Sequence, residues 1–162
     1  MLKRTLGIDP GAGGALALLE GDRLLYVADM PTITIKGRAK VLPAGVVDLV
    51  VEWKPDQIAL EDVGAMPGQG VSSMFSFGRS VGILEGVIAA LGYPLVMVRP
   101  ATWKRAAGVP ADKDAARLMA TRLWPDHSAL FARKKDDGRA EAALLARWMV
   151  QAWATRSAGG TP

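Results

Sequence analysis

The stretch "LGIDPGAGGALALLE", Leu6 to Glu20, places two apolar runs on either side of a glycine-rich turn. This pattern predicts two strands over residues 4–9 and 14–19, and a third strand follows at about 23–29. The first strand ends on an acid, Asp9, although a buried strand normally ends on a neutral turn residue. A carboxylate in that position needs a group to bind, and other acids along the chain could bind the same group.

Strands and helices alternate after this opening. The patterns predict a helix in "LPAGVVDLVVEW", a strand in "DQIALED", a long helix at about 72–91, a strand in "YPLVMV", a short helix near 101–107, a helix in "ADKDAARLMATRLW" and a last helix at about 138–154. The basic segment "MPTITIKGRAK" is expected to be a loop. Three successive strands should form an antiparallel meander, and strands reached through helices should add in parallel. We therefore predict one α/β domain over residues 1–154, with a mixed five-stranded sheet flanked by helices and a disordered tail at 155–162.

Composition narrows the class of protein. The 162 residues are 50% hydrophobic and 22% charged, as expected for one soluble domain, and the net charge of +4 suits a polyanionic partner. The chain has no cysteine, so disulfides and thiolate metal sites are excluded. No signal peptide is recognised, and the apolar region at 80–98 is interrupted by Glu85 and Pro94. We therefore expect a cytoplasmic protein without a membrane span.

Two acids occupy equivalent positions at the ends of predicted strands. Asp9 ends "TLGID" and Glu61 ends "QIALE", and each shares its strand face with small residues, Gly7 and Ala59. Small side chains leave room for a helix or a substrate backbone to approach. For either acid alone, a turn cap or a solvated strand end is an equally good interpretation. Two acids in equivalent places favour a shared function.

The last helix supplies further acids. Glu141 begins a stripe with Leu145, Trp148 and Ala152, so it is aligned with the packing face, and Asp137 lies four residues earlier. Like charges at this spacing repel, and no basic residue lies three or four positions from Glu141. Burying such a pair requires a cation. We therefore predict a site for Mg²⁺, with Mn²⁺ as a substitute, that hydrolyses phosphodiesters and is held by Asp9, Glu61, Asp137 and Glu141.

Five blocks of the chain resemble the RuvC-like Holliday junction resolvases, particularly their phage and prophage branch. The blocks are "LGIDPG", "ALEDV", "SSMFSFGRSVGIL", "RPATWKRAAGVPADKDAA" and "DDGRAEAALLA", in the family's order over residues 4–150. The resemblance implies an RNase H-like fold, a homodimer, and Mg²⁺-dependent symmetric nicking of four-way DNA junctions, with roles in DNA recombination and repair.

The resemblance also implies roles for individual residues. Asp9, Glu61 and Glu141 match the family's acids, whereas the remaining acid commonly lies where this chain has Gly138. Asp137 is preferred to Asp136 in its place, because a spacing of four residues shares a helix face. The basic residues that flank the family's active site resemble Lys104 and Lys113, which are expected to be catalytic.

Several residues are predicted to contact DNA or a second subunit. The predicted DNA contacts are Lys36, Arg38, Lys40, Met74, Phe75, Arg79, Lys104, Arg105, Lys113, Lys134 and Lys135. A solvated loop remains the alternative for residues 36–40, and a place in the core remains the alternative for Met74 and Phe75. Gly78, Gly82 and Gly86 form a small-residue stripe, interpreted as the dimer interface, with packing inside the chain as the alternative.

Three other functions compete with junction resolution. The glycine-rich turn also resembles the phosphate loop of sugar kinases and actin-like ATPases, but those proteins use two such domains, so no nucleotide cofactor is expected. An RNase H-like nuclease could instead cleave RNA–DNA hybrids or flaps. A non-catalytic DNA-binding relative is the third alternative, although such a protein has no reason to keep a repulsive cluster of acids.

Overall fold

The structure is a computed structural model that describes residues 1–65, 67–112 and 114–157. The strands are β1 (Arg4–Asp9), β2 (Ala15–Glu20), β3 (Arg23–Asp29), β4 (Thr32–Ile35), β5 (Arg38–Val41), β6 (Gln57–Glu61) and β7 (Leu95–Val98). The helices are α1 (Pro43–Trp53), α2 (Val71–Leu91), α3 (Pro100–Ala107), α4 (Ala115–Leu123) and α5 (Asp137–Ser157). Two 3₁₀ turns, Pro125–Phe131 and Lys134–Asp136, connect α4 to α5.

The main sheet has five strands in the order β3-β2-β1-β6-β7. β1 pairs antiparallel with β2, and β2 with β3, whereas β1–β6 and β6–β7 are parallel pairs. The predicted mixed sheet is therefore confirmed. In the β1–β6 register, Gly7 lies opposite Ala59 and Ile8 opposite Leu60. Asp9 and Glu61 each follow by one residue, so the two acids end adjacent parallel strands at the same edge of the sheet.

Helices cover both faces of the sheet. Leu6, Ile8 and Leu60 belong to the buried cluster shared with α1 and α2, whereas Ala59 belongs to the cluster on the α5 side, which also includes residues of α3 and α4. A Cβ atom at Gly7 would lie 2.1 Å from the backbone oxygen of Ala142. Only glycine therefore allows α5 to lie this close to β1, as the small residues on that strand face indicated.

The segment predicted to be a loop forms a second sheet, the β4–β5 hairpin. Its strands pair from Thr32 with Val41 to Ile35 with Arg38. Lys36 and Gly37 both have positive φ angles, 50° and 71°, as a tight two-residue turn requires. The prediction of a loop is therefore wrong. The alternating threonines and isoleucines of β4 favour a strand more than the basic residues favour a loop. Pairing within the hairpin satisfies the backbone groups even though all the side chains of β4 are exposed.

The bounds of α2 and α5 differ by one to three residues from those predicted. α5 continues to Ser157, three residues beyond its predicted end, while residues 158–162 and the prediction for them lie outside the described part of the chain.

α2 is long and apolar enough to cross a membrane by length and composition alone, which is weak support for a span. Pro94 lies beyond this helix. Leu84 and Ile88 of α2 are buried against the sheet, so the helix is an integral part of this domain.

Candidate active site

Asp9 lies where β1 turns sharply back into β2. Gly11 has a φ of 101°, and a Cβ atom at Gly14 would lie 2.0 Å from the backbone oxygen of Asp9. Both positions therefore require glycine, Gly11 for its conformation and Gly14 for space. The glycine-rich turn lets the chain reverse within residues 10–14 and leaves the Asp9 side chain at the edge of the sheet, on the face that α5 covers.

Glu61 and Glu141 approach Asp9 from a neighbouring strand and from α5. Glu61 ends β6 and is only 4% exposed. Glu141 lies one residue before Ala142, whose backbone packs against Gly7 of β1. One carboxylate oxygen from each of Asp9, Glu61 and Glu141 lies within 4.8 Å of the others. The close approach of α5 to β1 thus completes a cluster of three acids from distant parts of the sequence.

The cluster is unfavourable unless a positive charge balances it. Burial, followed by the negative charges of Glu141 and Glu61, raises the pKa of Asp9 well above its usual value. Burial likewise raises the pKa of Glu61. Repulsion and desolvation therefore both oppose ionisation in the absence of a cation. Three converging carboxylates are oxygen ligands of the kind that Mg²⁺ and Mn²⁺ prefer, so these residues fit a divalent cation.

Lys104 of α3 lies inside this site. Its Nζ atom donates a hydrogen bond of 2.7 Å to Oε1 of Glu141, and its charge opposes the rise in the pKa of Asp9. The lysine is partly exposed, with 31% of its side chain accessible. The structure thus brings Lys104 to the acids, as the sequence predicted. Lys113, the second predicted basic residue, lies outside the described residues.

Trp103, the residue before Lys104, also contacts the cluster. Its side chain is fully buried, and its Nε1 atom donates a hydrogen bond of 2.9 Å to Oε1 of Glu61. No pattern in the sequence indicated a role for this tryptophan at the site. Tryptophan is commonly buried, but the sequence does not specify which acceptor its N–H group meets.

Asp137 was expected to join Asp9, Glu61 and Glu141 at one metal site, but the structure pairs it with an arginine. Its Oδ1 atom lies 2.8 Å from Nε of Arg117, a residue of α4 that also pairs with Asp114. Asp137 is not one of the three clustered acids, although its charge contributes slightly to the raised pKa of Asp9. The cause is tertiary, because α4 brings an arginine to the first turn of α5. Its role as a fourth metal ligand therefore stays a prediction.

Asp136, the alternative to Asp137, is held away from the cluster by Arg133. The Asp136 side chain is 1% exposed and accepts hydrogen bonds from Nη2 and the backbone N–H of Arg133, at 2.9 and 2.8 Å. These bonds lower the pKa of Asp136 and fix the turn that leads into α5. The arrangement is a capping box of the 3₁₀ turn Lys134–Asp136, which precedes α5.

Gly138 lies where the resemblance implied an acid, and the structure leaves little room for a side chain there. A Cβ atom at residue 138 would lie 2.9 Å from the backbone oxygen of Gly13 and 3.0 Å from Oδ2 of Asp9. The start of α5 is therefore pressed against the turn after β1. A carboxylate at this position would crowd Asp9 unless the turn moved.

The predicted DNA contacts fall into four regions. Lys36, Arg38 and Lys40 lie on the β4–β5 hairpin, and Arg38 donates a hydrogen bond of 3.1 Å to the Ser72 hydroxyl of α2. Met74, Phe75 and Arg79 lie on the first half of α2, where Phe75 is 75% exposed and so is not part of the core. Arg105 lies on α3, and Lys134 and Lys135 form the turn before α5; all three are exposed.

Two grooves run between the hairpin and α2. One, of ≈ 300 Å³, is lined by Ile33, Ile35, Phe75 and Ile83 together with basic residues of the hairpin and Arg79. The other, of ≈ 420 Å³, is lined by Gly11 and Ala12 of the turn after Asp9, by Arg38, and by serine residues of α2. The second groove therefore leads from the turn beside the acids to the basic hairpin.

The glycine stripe on α2 is exposed, although Gly78 also borders a pocket that residues 63–65 of the loop after β6 help to line. Gly78, Gly82 and Gly86 are exposed, and a Cβ atom at any of them would meet no described atom within 4 Å. Packing inside the chain therefore does not account for these glycines. Each is unfavourable in an exposed helix by about 0.5–1 kcal/mol relative to alanine.

Known proteins resemble this chain over most of its length. No protein-family model matches it. It is 32% identical over 136 residues to the crossover junction endodeoxyribonuclease RuvC of Parvibaculum lavamentivorans, covering 76% of this chain and 75% of that protein. It is 28% identical over 169 residues to RuvC of Gluconacetobacter diazotrophicus, covering 98% and 97%. A chloroplastic Holliday junction resolvase of Chlamydomonas reinhardtii is 29% identical over 143 residues, which are 86% of this chain and 16% of that protein.

A solved structure supports the same fold. The chain superimposes on Thermus thermophilus RuvC in complex with a Holliday junction substrate with a TM-score of 0.64, 19% identity, and coverage of 96% of each chain. This likeness confirms the predicted fold class.

Proposed function

Because the chain belongs to the RuvC family of crossover junction endodeoxyribonucleases, we propose that it resolves four-way DNA junctions by paired symmetric nicks in a reaction that requires Mg²⁺. The observation that carries this proposal is the cluster of Asp9, Glu61 and Glu141 beside Lys104. Three separate parts of the chain supply these acids, at an electrostatic disadvantage that a bound cation removes.

The side chains suggest a division of labour. Asp9, Glu61 and Glu141 would hold the metal, which supplies activation of a water molecule and stabilisation of the leaving oxygen. Lys104 lies close enough to the acids to orient a phosphate oxygen while Glu141 keeps its ammonium group in place. Asp137 remains a candidate ligand if its pairing with Arg117 opens when substrate binds.

The grooves beside α2 suggest how DNA would reach the acids. The groove between the turn after β1 and the hairpin offers Arg38 and serine hydroxyls, which are groups that bind phosphates without reading sequence. Phe75 and Arg79 border the neighbouring groove, where an exposed aromatic ring could stack on an unpaired base at the exchange point. We therefore place one DNA strand along the hairpin.

The exposed stripe of α2 supports a homodimer. Gly78, Gly82 and Gly86 would let the backbone of a partner helix approach closely, which compensates for their unfavourable effect on an isolated helix. A two-fold dimer would present two equivalent active sites to the two strands of like polarity in a junction. Symmetric nicking follows from that symmetry.

The experiment that tests the function compares four substrates. Synthetic four-way junction, flap, linear duplex and RNA–DNA hybrid are incubated with the protein in Mg²⁺ and in EDTA. We expect paired nicks in the junction with Mg²⁺ and no cleavage in EDTA. Preferred cleavage of the hybrid or the flap would instead favour another nuclease of the same fold. Binding to the junction without cleavage in Mg²⁺ or Mn²⁺ would identify a non-catalytic relative.

A further inference from the structure

Trp103 occupies a defined place next to the strand that carries Glu61. β7 pairs with β6 so that Val98 lies opposite Glu61, and the backbone N–H of Asp62 donates to the oxygen of Val98 at 2.8 Å. α3 begins two residues after β7, at Pro100, so its first turn lies beside the end of β6. The strand pairing thus fixes where the Trp103 ring enters the core.

The hydrogen-bond acceptor of the Trp103 indole differs in kind from that of Trp124, another buried tryptophan. Trp124 is also buried, at 6% exposure, and its Nε1 atom donates to a neutral backbone oxygen, that of Asp22, at 2.9 Å. Trp103 instead donates to a carboxylate, Glu61, at the same distance. A buried indole N–H requires an acceptor, and a neutral one would suffice. An acidic acceptor within a cluster of acids indicates a role for the bond beyond satisfying the indole.

The hydrogen bond has two effects on Glu61. It sets the direction in which Oε1 points, and it opposes the rise in the pKa of Glu61 that burial causes. Carboxylate ligands of metals are commonly held by such outer partners, and loss of one typically lowers metal affinity or activity by about 10- to 100-fold. Lys104, the next residue, holds Glu141 in the same way. One turn of α3 therefore orients both glutamates.

We propose that Trp103 is a positioning residue of the active site, whose indole N–H holds Glu61 in the orientation that binds the divalent cation. This inference rests on the proposed function, because it assumes that the cluster of acids binds metal. Trp103 would thus contribute to metal affinity through Glu61, from a fully buried position.

The test measures Mn²⁺ binding to the metal-free protein by titration calorimetry. Trp103→Phe removes the N–H group but also reduces the volume of the side chain. A second variant therefore replaces Trp103 with β-(3-benzothienyl)alanine, which keeps the bicyclic shape and has sulfur in place of the N–H group. Matched variants at Trp124, made with the same two replacements, lose a buried indole hydrogen bond remote from the acids. Thermal unfolding of all four establishes that they are folded.

We expect the benzothienyl variant at 103 to bind Mn²⁺ about 10- to 100-fold more weakly than the parent, and the variants at 124 to bind it as the parent does. Nicking by the 103 variant should recover when Mn²⁺ is raised to saturation, because the catalytic groups themselves are intact. Unchanged Mn²⁺ affinity in the folded 103 variant would overturn the inference. Glu61→Gln separates the two proposals, because unchanged Mn²⁺ binding by that variant would contradict the metal site itself.

Discussion

At the scale of single residues, the site depends on clustered carboxylates whose negative charges are unfavourable without a bound cation. Asp9 and Glu61 have raised pKa values because they are buried near each other and near Glu141. The only positive charge that the described residues place in hydrogen-bonding contact with this cluster is that of Lys104. Substitutions in the cluster should therefore affect chemistry and binding in opposite directions.

Glu61→Gln should separate these two effects. Glutamine keeps the size of the side chain but removes a charge that a hard cation needs, so junction nicking in Mg²⁺ should fall by more than about 100-fold. Junction binding in EDTA should be kept or improve, because less negative charge faces the phosphates. Nicking assays and gel shifts measure the two outcomes. Cleavage near the parent rate would show that Glu61 is not a metal ligand.

The raised pKa of Asp9 predicts how stability depends on pH. Between its ordinary value in the unfolded chain and its higher value in the folded one, the folded state binds more protons. The free energy of unfolding in EDTA should therefore fall as pH rises through this window. Acids with lowered pKa values, such as Asp136, have the opposite effect, so the difference between Mg²⁺ and EDTA is the useful quantity.

Thermal unfolding in Mg²⁺ and in EDTA measures this difference. Mg²⁺ should raise the melting temperature most near neutral pH, and the increase should shrink at acidic pH as protons compete for the carboxylates. Asp9→Asn should abolish most of the increase. An effect of Mg²⁺ that is the same at every pH would mean that the ion binds elsewhere.

The sequence predicted the three clustered acids and Lys104 beside them, but not the partners of Asp137 and Glu61. Strand parity put Asp9 and Glu61 on the face that α5 covers, and helical spacing put Glu141 on the packing side of α5. The pairing of Asp137 with Arg117 depends on how α4 docks against α5, and the bond from Trp103 to Glu61 depends on how α3 follows β7. Local patterns in a sequence do not contain such placements.

At the scale of elements, α2 has two different faces. One buries Leu84 and Ile88 against the sheet, and the other exposes three glycines to open space. The sequence predicted this helix and its glycine stripe. By contrast, the β4–β5 hairpin was missed because its basic residues and its glycine suggested a loop, although Thr32–Ile35 alternates polar and apolar side chains.

Gly82→Leu tests whether the glycine stripe is the contact between subunits. Leucine fits the open surface of a monomer but would hold a partner helix away, so the variant should sediment as a monomer at concentrations where the parent is dimeric. Ala44→Leu on α1 adds the same side chain type at an exposed helical position elsewhere and should leave the association unchanged. A dimer of parent affinity in Gly82→Leu would place the interface on another surface.

At the scale of the whole molecule, the proposed function would need two copies acting together. Each chain has one cluster of acids among its described residues, whereas resolution of a junction requires one nick in each of two strands. A dimer joined through α2 would hold two such clusters in fixed geometry. The two nicks should therefore occur within the lifetime of one complex.

A supercoiled plasmid that extrudes a cruciform can detect this coupling. Two nicks made in one binding event convert the plasmid to a linear form, whereas separate single nicks relax it and remove the cruciform. We expect linear product from the parent and nicked circles from Gly82→Leu at equal protein concentration. Linear product at the parent rate from a monomeric Gly82→Leu variant would argue against coupled cleavage through this interface.

The close contact of α5 with Gly7 also bears on how the protein is synthesised. Asp9 and Glu61 leave the ribosome well before Glu141, because translation proceeds from the amino terminus. The sheet that carries the first two acids can pair while α5 is still unmade, yet its face along Gly7 stays uncovered until that helix docks. The three acids therefore come together late, and a nascent chain lacks the complete cluster. The order of translation thus delays assembly of the candidate metal site until the last helix has been made.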